Sequence, residues 1–135
     1  MITQDNDIRS ILTSAKTIAV VGASPKPWRD SGSIAQFLIG RGYKVYPVNP
    51  KYTEVLGEKC YPDLKSLPEK IDIVDIFRKS EEVESIIDEA IAIRAKAVWM
   101  QLGVVNEHAA QKAESAGMQV VMDRCIAIDH RALMR

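Results

Sequence analysis

Thr17-Ile18-Ala19-Val20-Val21-Gly22-Ala23-Ser24 is the stretch whose reading decides the fold. Its first five residues form a β-branched, apolar run without polar alternation. Such a run predicts a strand buried on both faces, as parallel strands usually are. Gly22 stops it. Pro25-Lys26-Pro27-Trp28-Arg29-Asp30 follows as a loop dense in turn formers. Ser31 to Ile39 then carries Ile34, Ala35, Leu38 and Ile39 at core spacing, which predicts a helix that Gly40 or Gly42 ends.

The same alternation extends outward. Upstream, Asp5 or Asp7 is suited to cap a helix with Ile8, Ile11 and Leu12 on one face. Downstream, Lys44-Val45-Tyr46-Pro47-Val48 reads as a second strand, broken by Asn49-Pro50. Turns are expected at Leu56-Gly57 and Tyr61-Pro62-Asp63, with a short helical turn near Ser66-Leu67. Asp72 to Phe77 is a third strand. Ser80 caps a helix from Glu81 to about Arg94, with Val83, Ile86, Ile87, Ala90 and Ile91 as its apolar stripe. Ala97 to Gln101 is a fourth strand. Asn106 caps a helix to Ala116, ended by Gly117. Gln119 to Met122 is a fifth strand, and Ile126 to Met134 a last short helix. Strands alternating with helices predict an α/β fold: a Rossmann-like, doubly wound parallel sheet of about five strands, helices on both faces, as one domain over 1–135. The expected strand order is 3-2-1-4-5. The ligand crevice of such a sheet lies where the winding reverses, at the carboxyl ends of strands one and four. That rule selects Gly22 to Arg29, Val48-Asn49, Phe77-Arg78, Gln101 to Val104 and Asp123-Arg124.

Composition narrows the function. Of 135 residues, 47% are hydrophobic and 27% charged, ordinary for a globule. Eighteen basic residues balance eighteen acidic ones, so whole-surface attraction to nucleic acid or anionic lipid is not expected. No apolar run is long enough to span a bilayer. The first residues show no basic head or apolar signal region, so a cytoplasmic location is expected. Cys60 and Cys125 have no metal-ligand spacing and make no disulfide framework, in keeping with a reducing compartment.

The first crevice loop has the chemistry of an anion site. Gly22-Ala23 lets main chain approach a ligand closely, and the helix starting near Ser31-Gly32-Ser33 offers free N–H groups and a positive dipole end. Lys26 and Arg29 add mobile charge; Ser24, Ser31 and Ser33 add hydroxyls. The dinucleotide fingerprint is absent, since Ser24 stands where its second glycine belongs, and no glycine-lysine-serine loop is present. Where an NAD site places an acid at the end of strand two, this chain has Asn49, with Lys51 just beyond. Asn49 permits a nucleotide with an extra phosphate. The alternative is that Gly22 and Asn49-Pro50 are turn chemistry alone.

In order and spacing, Val20-Val21-Gly22-Ala23-Ser24, Pro27, Arg29, Ser31-Gly32-Ser33-Ile34-Ala35 and Tyr46-Pro47-Val48-Asn49-Pro50 resemble the small stand-alone CoA-binding proteins. Asp75-Ile76-Phe77-Arg78, Trp99-Met100-Gln101-Leu102-Gly103-Val104 and Asp123-Arg124-Cys125-Ile126 continue the likeness. The chain is similar, more weakly, to the CoA-binding domains of the succinyl-CoA synthetase α subunit and of NDP-forming acyl-CoA synthetases. The resemblance implies that coenzyme A, or an acyl-CoA, lies in the crevice. Gly22, Ala23, Ser24, Lys26, Arg29 and Ser31 would meet the phosphates, Val48 and Asn49 the adenosine, Phe77 and Arg78 the next stretch, and Gln101 and Gly103 the pantetheine arm, with Arg124 at the rim. The phosphohistidine domain of the larger synthetases has no counterpart within these residues.

No catalytic constellation is legible. His108 and His130 are expected as solvated surface residues, and Asp72 and Asp75 cannot be shown to face one another. Cys125 is a thiol near the crevice rim, beside Arg124, which would favour a thiolate; it reads otherwise as a small buried hydrophobe. Trp28 reads equally as a ring-stacking residue or as loop cover. The expectation is thus a binding or regulatory module. Its alternatives are an NAD(P)-dependent oxidoreductase, a CoA-linked transferase, or a subunit that docks on a protein partner from acyl-CoA metabolism.

Overall fold

A computed structural model describes residues 1–134; Arg135, the last residue of the expected domain, lies outside the described residues. Five parallel strands form the main sheet: β1 (Thr17–Val21), β2 (Lys44–Val48), β5 (Ile73–Ile76), β6 (Ala97–Met100) and β7 (Gln119–Val121). A two-stranded hairpin, β3 (Glu54–Val55) and β4 (Glu58–Lys59), turns at Leu56-Gly57 and adds a small sheet that the sequence showed only as a turn. The helices are α1 (Asp5–Ser14), α2 (Asp30–Gly40), α3 (Val83–Ala92), α4 (Glu107–Ser115) and α5 (Ile126–Leu133).

All five residues of β1 are buried, as a strand covered on both faces requires. Alternate side chains serve opposite cores. Ile18, Val20, Ile73, Trp99 and Val121 face α1, α2 and α5, where Ile8, Leu12, Leu38 and Ile126 meet them. Ala19, Val21, Val74, Ile76, Val98 and Met100 face α3 and α4, through Ile86, Ile87, Ala90, Ala109 and Ala113. The Asn106 side chain accepts from the Ala109 N–H and caps α4 as expected. The helix expected from Glu81 begins as a 3₁₀ turn at Ser80–Glu82, so Ser80 starts that turn instead of capping an α-helix.

The strand order corrects the expected 3-2-1-4-5. It is β2-β1-β5-β6-β7, so the third long strand pairs with β1 and leaves β2 at the edge. The physical reason is Pro47. Lys44 donates its N–H to Lys16, and Val48 accepts from Gly22, so those residues face β1; Pro47, between them, points outward with no N–H to offer. A proline blocks a full ladder on that side and suits an edge strand. Among the described residues only Tyr61 bridges there, donating to the Pro47 carbonyl while its own carbonyl accepts from Asn49. The winding therefore reverses between β1 and β5, and the crevice opens over those two strands instead of over the first and fourth.

One residue violates the core. Asp75, on β5 between Val20 of β1 and Trp99 of β6, is fully buried, and neither carboxyl oxygen has a hydrogen-bond partner among the described residues. Burial pushes its carboxyl well above the ordinary carboxylate range. Below about pH 3.9 the acid is neutral in both the folded and the unfolded chain and imposes no pH-dependent cost. Above that, ionisation favours the unfolded chain, and stability falls by about 1.4 kcal/mol per pH unit until the folded-state value is reached. Asp75→Asn keeps the shape and removes the ionisation. In urea denaturation, its stability advantage over the wild-type chain should widen from pH 5 to pH 7. A gap independent of pH would show that Asp75 ionises in the fold without penalty.

Candidate functional site

The end of β1 is shaped by a glycine that no other residue can replace without movement. Gly22 has φ +89°, and a Cβ there would sit 2.7 Å from the Phe77 carbonyl oxygen and 2.9 Å from Arg78 Cδ. Its N–H donates to the Val48 carbonyl. Three strand ends thus converge on one small residue. Asn49, 7% exposed, completes the junction: its Nδ2 donates to the Ala23 carbonyl at 2.9 Å and its Oδ1 accepts from Lys51 N at 2.9 Å. Both ends of its amide are thereby engaged, so Asn49 positions the loop. Buried Cys60 packs behind it, with Sγ directed at the Asn49 carbonyl.

The loop after Gly22 folds back on α2. Ser24 Oγ accepts from Lys26 N at 3.1 Å. A Cβ on Gly32 would lie 2.3 Å from the Lys26 carbonyl oxygen, so only glycine lets the loop rest on the first turn of the helix. Arg29 occupies the N-cap position without a side-chain capping bond. The Asp30, Ser31 and Gly32 N–H groups have no acceptor among the described residues, as expected of an uncapped first turn.

Two cavities meet at this junction and share Gly22, Asn49 and Arg78. The larger, of about 740 Å³, lies on the α2–α5 side of the sheet end. It brings together Gly22, Ala23, Ser24, Lys26, Arg29 and Ser31 from the first loop and helix with Asn49, Phe77, Arg78 and Gln101 from the other strand ends. The smaller, of about 280 Å³, lies on the α3 side, walled by Val21, Val48, Pro50, Leu64 and Ile86, with Asp63, Ser85 and Glu89 at its polar edge. Val48 therefore belongs to the smaller cavity alone. Gly103 and Arg124 line neither. Gly103 N donates to Asp123 Oδ1 at 2.7 Å, and Arg124 is held by Asp129 through two bonds of 2.7 and 2.9 Å.

Five basic residues, Lys26, Arg29, Lys51, Arg78 and Lys79, line the larger cavity, against one acid, Asp30. Arg78 is paired with Glu82 at 2.7 Å and holds that carboxyl below its usual range; the other four have no ion-pair partner among the described residues. Lys79, Tyr52, Ile34 and Ile128 are lining residues the sequence reading did not single out. Ile34 and Ile128 look like ordinary helical core positions, and nothing in the pattern marks them otherwise. The adjacency of Lys79 to Arg78 was a usable signal.

Other chemistry-bearing residues are dispersed. Cys125 reaches the larger cavity, as expected of a rim thiol. Trp28 is 75% exposed and lines neither cavity. Asp72 accepts from the Lys16 and Thr17 N–H groups and ties the start of β1, far from a facing arrangement with Asp75. His108 is exposed beside Glu84. His130 departs from the expected surface position: it is 7% exposed and packs edge-on against Phe37 and Tyr43, because α5 docks on α2. Burial, with Arg41 nearby, pushes its pKa down. No helix among the described residues is long and apolar enough to cross a membrane.

Comparison with known proteins places these features in a family. The chain is 40% identical over 124 residues to the Bacillus subtilis protein YneT, covering 92% of both. A structure of a hypothetical protein from Pyrococcus horikoshii superposes with a TM-score of 0.96 at 47% identity, over 98% of this chain and 94% of that one. An ADP-forming acetate–CoA ligase of Archaeoglobus fulgidus is 30% identical over 123 residues; the match covers 84% of this chain but only 18% of the ligase. A family described as "CoA binding domain" matches residues 16–131. By that match, which takes in all five strands of the main sheet and both cavities, the chain belongs to the CoA-binding domain family.

Proposed function

We propose that this chain binds coenzyme A or an acyl-CoA across the β1–β5 crevice, as a binding or regulatory module without turnover of its own. The observation that carries the reading is electrostatic. A chain with equal numbers of acids and bases gathers five basic residues against one acid on a single cavity wall. CoA, with a diphosphate and a 3′-phosphate, is an anion of matching size and sign. The loop and helix supply what a diphosphate needs: unclaimed N–H groups at the α2 N-terminus, a close main-chain approach at Gly22, and mobile Lys26 and Arg29.

The ligand runs from one cavity to the other over Gly22. The smaller cavity suits the adenine ring, with Val48, Leu64 and Ile86 on its faces and carboxylate and hydroxyl groups of Asp63, Glu89 and Ser85 for its amine edge. Lys51 suits the 3′-phosphate. The larger cavity suits the diphosphate and then the pantetheine arm, past Phe77 and Gln101. Gln101 accepts from Ile126 N through Oε1, and its Nε2, without a partner among the described residues, suits an arm carbonyl. Asn49 in place of an acid at the end of β2 disfavours NAD. The family relation to acetate–CoA ligases supports the same ligand class.

Isothermal titration with CoA, 3′-dephospho-CoA and NAD is the test. CoA should bind most tightly and NAD most weakly; NAD binding as well as CoA would overturn the reading. Arg29→Ala should cost about tenfold in CoA affinity, near 1.5 kcal/mol for a charged hydrogen bond; unchanged affinity would remove Arg29 from the site. Gly32→Ala pushes a methyl into the Lys26 carbonyl and must displace the loop. It should weaken CoA binding by a larger factor than Arg29→Ala, and equal affinity to wild type would show that the loop is not the phosphate seat.

A further inference from the structure

We infer that the apolar end of the larger cavity seats an uncharged acyl chain, so that the ligand of this chain is an acyl thioester in preference to free CoA. The inference rests on the CoA reading above and adds a chain subsite made by Leu102, Val104 and Ile128, beside Cys125. Along the sheet edge the cavity is strongly polarised. Its charged residues come from the β1 loop, the β2 end and the β5 end. From the β6 end onward the lining is Gln101, Leu102, Val104, Cys125 and Ile128, without a charge.

Two further observations give that end its chemistry. Leu102 is 60% exposed and Ile128 54% exposed, on one concave wall and continuous with the cationic part. Some of the main-chain donors around them are already spent. Gly103 N goes to Asp123, Val104 N to the Gln101 carbonyl, Val105 N to Ser80 Oγ and Ile126 N to Gln101 Oε1. A wall of exposed, uncharged aliphatic side chains offers more to hydrocarbon than to a charged terminus. The order of the cavity lining, cations then Gln101 then aliphatic side chains, follows the order of an acyl-CoA: phosphates, amides, chain.

The experiment is titration of the full chain with CoA, butyryl-CoA, hexanoyl-CoA and malonyl-CoA, repeated on Leu102→Ser/Ile128→Ser. Both substituted residues are exposed, and an unchanged thermal midpoint verifies that the variant folds. Hexanoyl-CoA should bind about tenfold tighter than CoA, with butyryl-CoA between them, as expected for a few partly buried methylenes. Malonyl-CoA, whose carboxylate would meet an uncharged wall, should bind no tighter than CoA. In the variant the ratio of hexanoyl-CoA to CoA affinity should fall to less than about threefold, whatever shift is common to both ligands. A wild-type chain that binds CoA but gains nothing from the alkyl chain overturns this inference and leaves the parent reading standing. An alkyl gain that survives in the variant overturns the assigned residues. Absence of CoA binding overturns the parent reading and this one with it.

Discussion

The approach of the Gly22 main chain to the Phe77 carbonyl, too close for any Cβ, is the constraint on which the site depends. It exists because β1 and β5 are neighbours in parallel register, so that Val21 and Ile76 end their strands side by side. A bulkier residue at position 22 would have to displace the Phe77 carbonyl and the Arg78 side chain, which lines both cavities. The contact also explains why the loop leaves the sheet where it does. Gly22 is tied to Val48 by its N–H, and Ala23 to Asn49 through its carbonyl, so the chain can continue only toward α2. Loop path and cavity shape therefore follow from one steric allowance.

Charge placement is the second consequence. Net neutrality of the whole chain removes long-range attraction, yet the cavity field is positive because the opposing acids lie elsewhere. Glu84 and Asp88 are held by Lys112 on the α3–α4 surface, and Asp72 serves the amino end of β1. At the α2 N-terminus the basic side chains add to a dipole of the same sign. Such a site attracts an anion locally and releases it as salt rises, because the exposed partners are screened.

Much of this was legible in the residues. The apolar run before Gly22, the loop of prolines and cations, and the hydroxyl-rich helix start pointed to the residues that line the larger cavity, and alternation of strand and helix indicated the architecture. Strand order was missed although its signal was present: Pro47 cannot donate into a ladder, so β2 had to be an edge. Asn49 was read as a permissive gap in charge; its structural task, bracing Ala23 and Lys51, is a tertiary contact that no local pattern encodes. The exposed character of Leu102 and Ile128 was equally hidden, since aliphatic residues at strand ends and on helices ordinarily read as core. Arg124 is the converse case. A basic residue at a strand end looks available to a ligand, but Asp129, one turn into α5, engages two of its three guanidinium nitrogens.

That last pair has a mechanical meaning. Arg124 anchors the start of α5, and its carbonyl accepts from the indole of buried Trp99, so the wall carrying Cys125 and Ile128 is fixed to the centre of the sheet. At its other end α5 is fixed to α2 through His130 against Phe37, with Arg131 and Arg41 also over the Phe37 ring. The helix that bears the apolar end of the cavity is thus braced on the helix whose first turn forms its cationic end. Ile34, also on α2, lines the same cavity, so a displacement of either helix alters the distance between its basic and its aliphatic linings, and that distance is set by the packing of two helices.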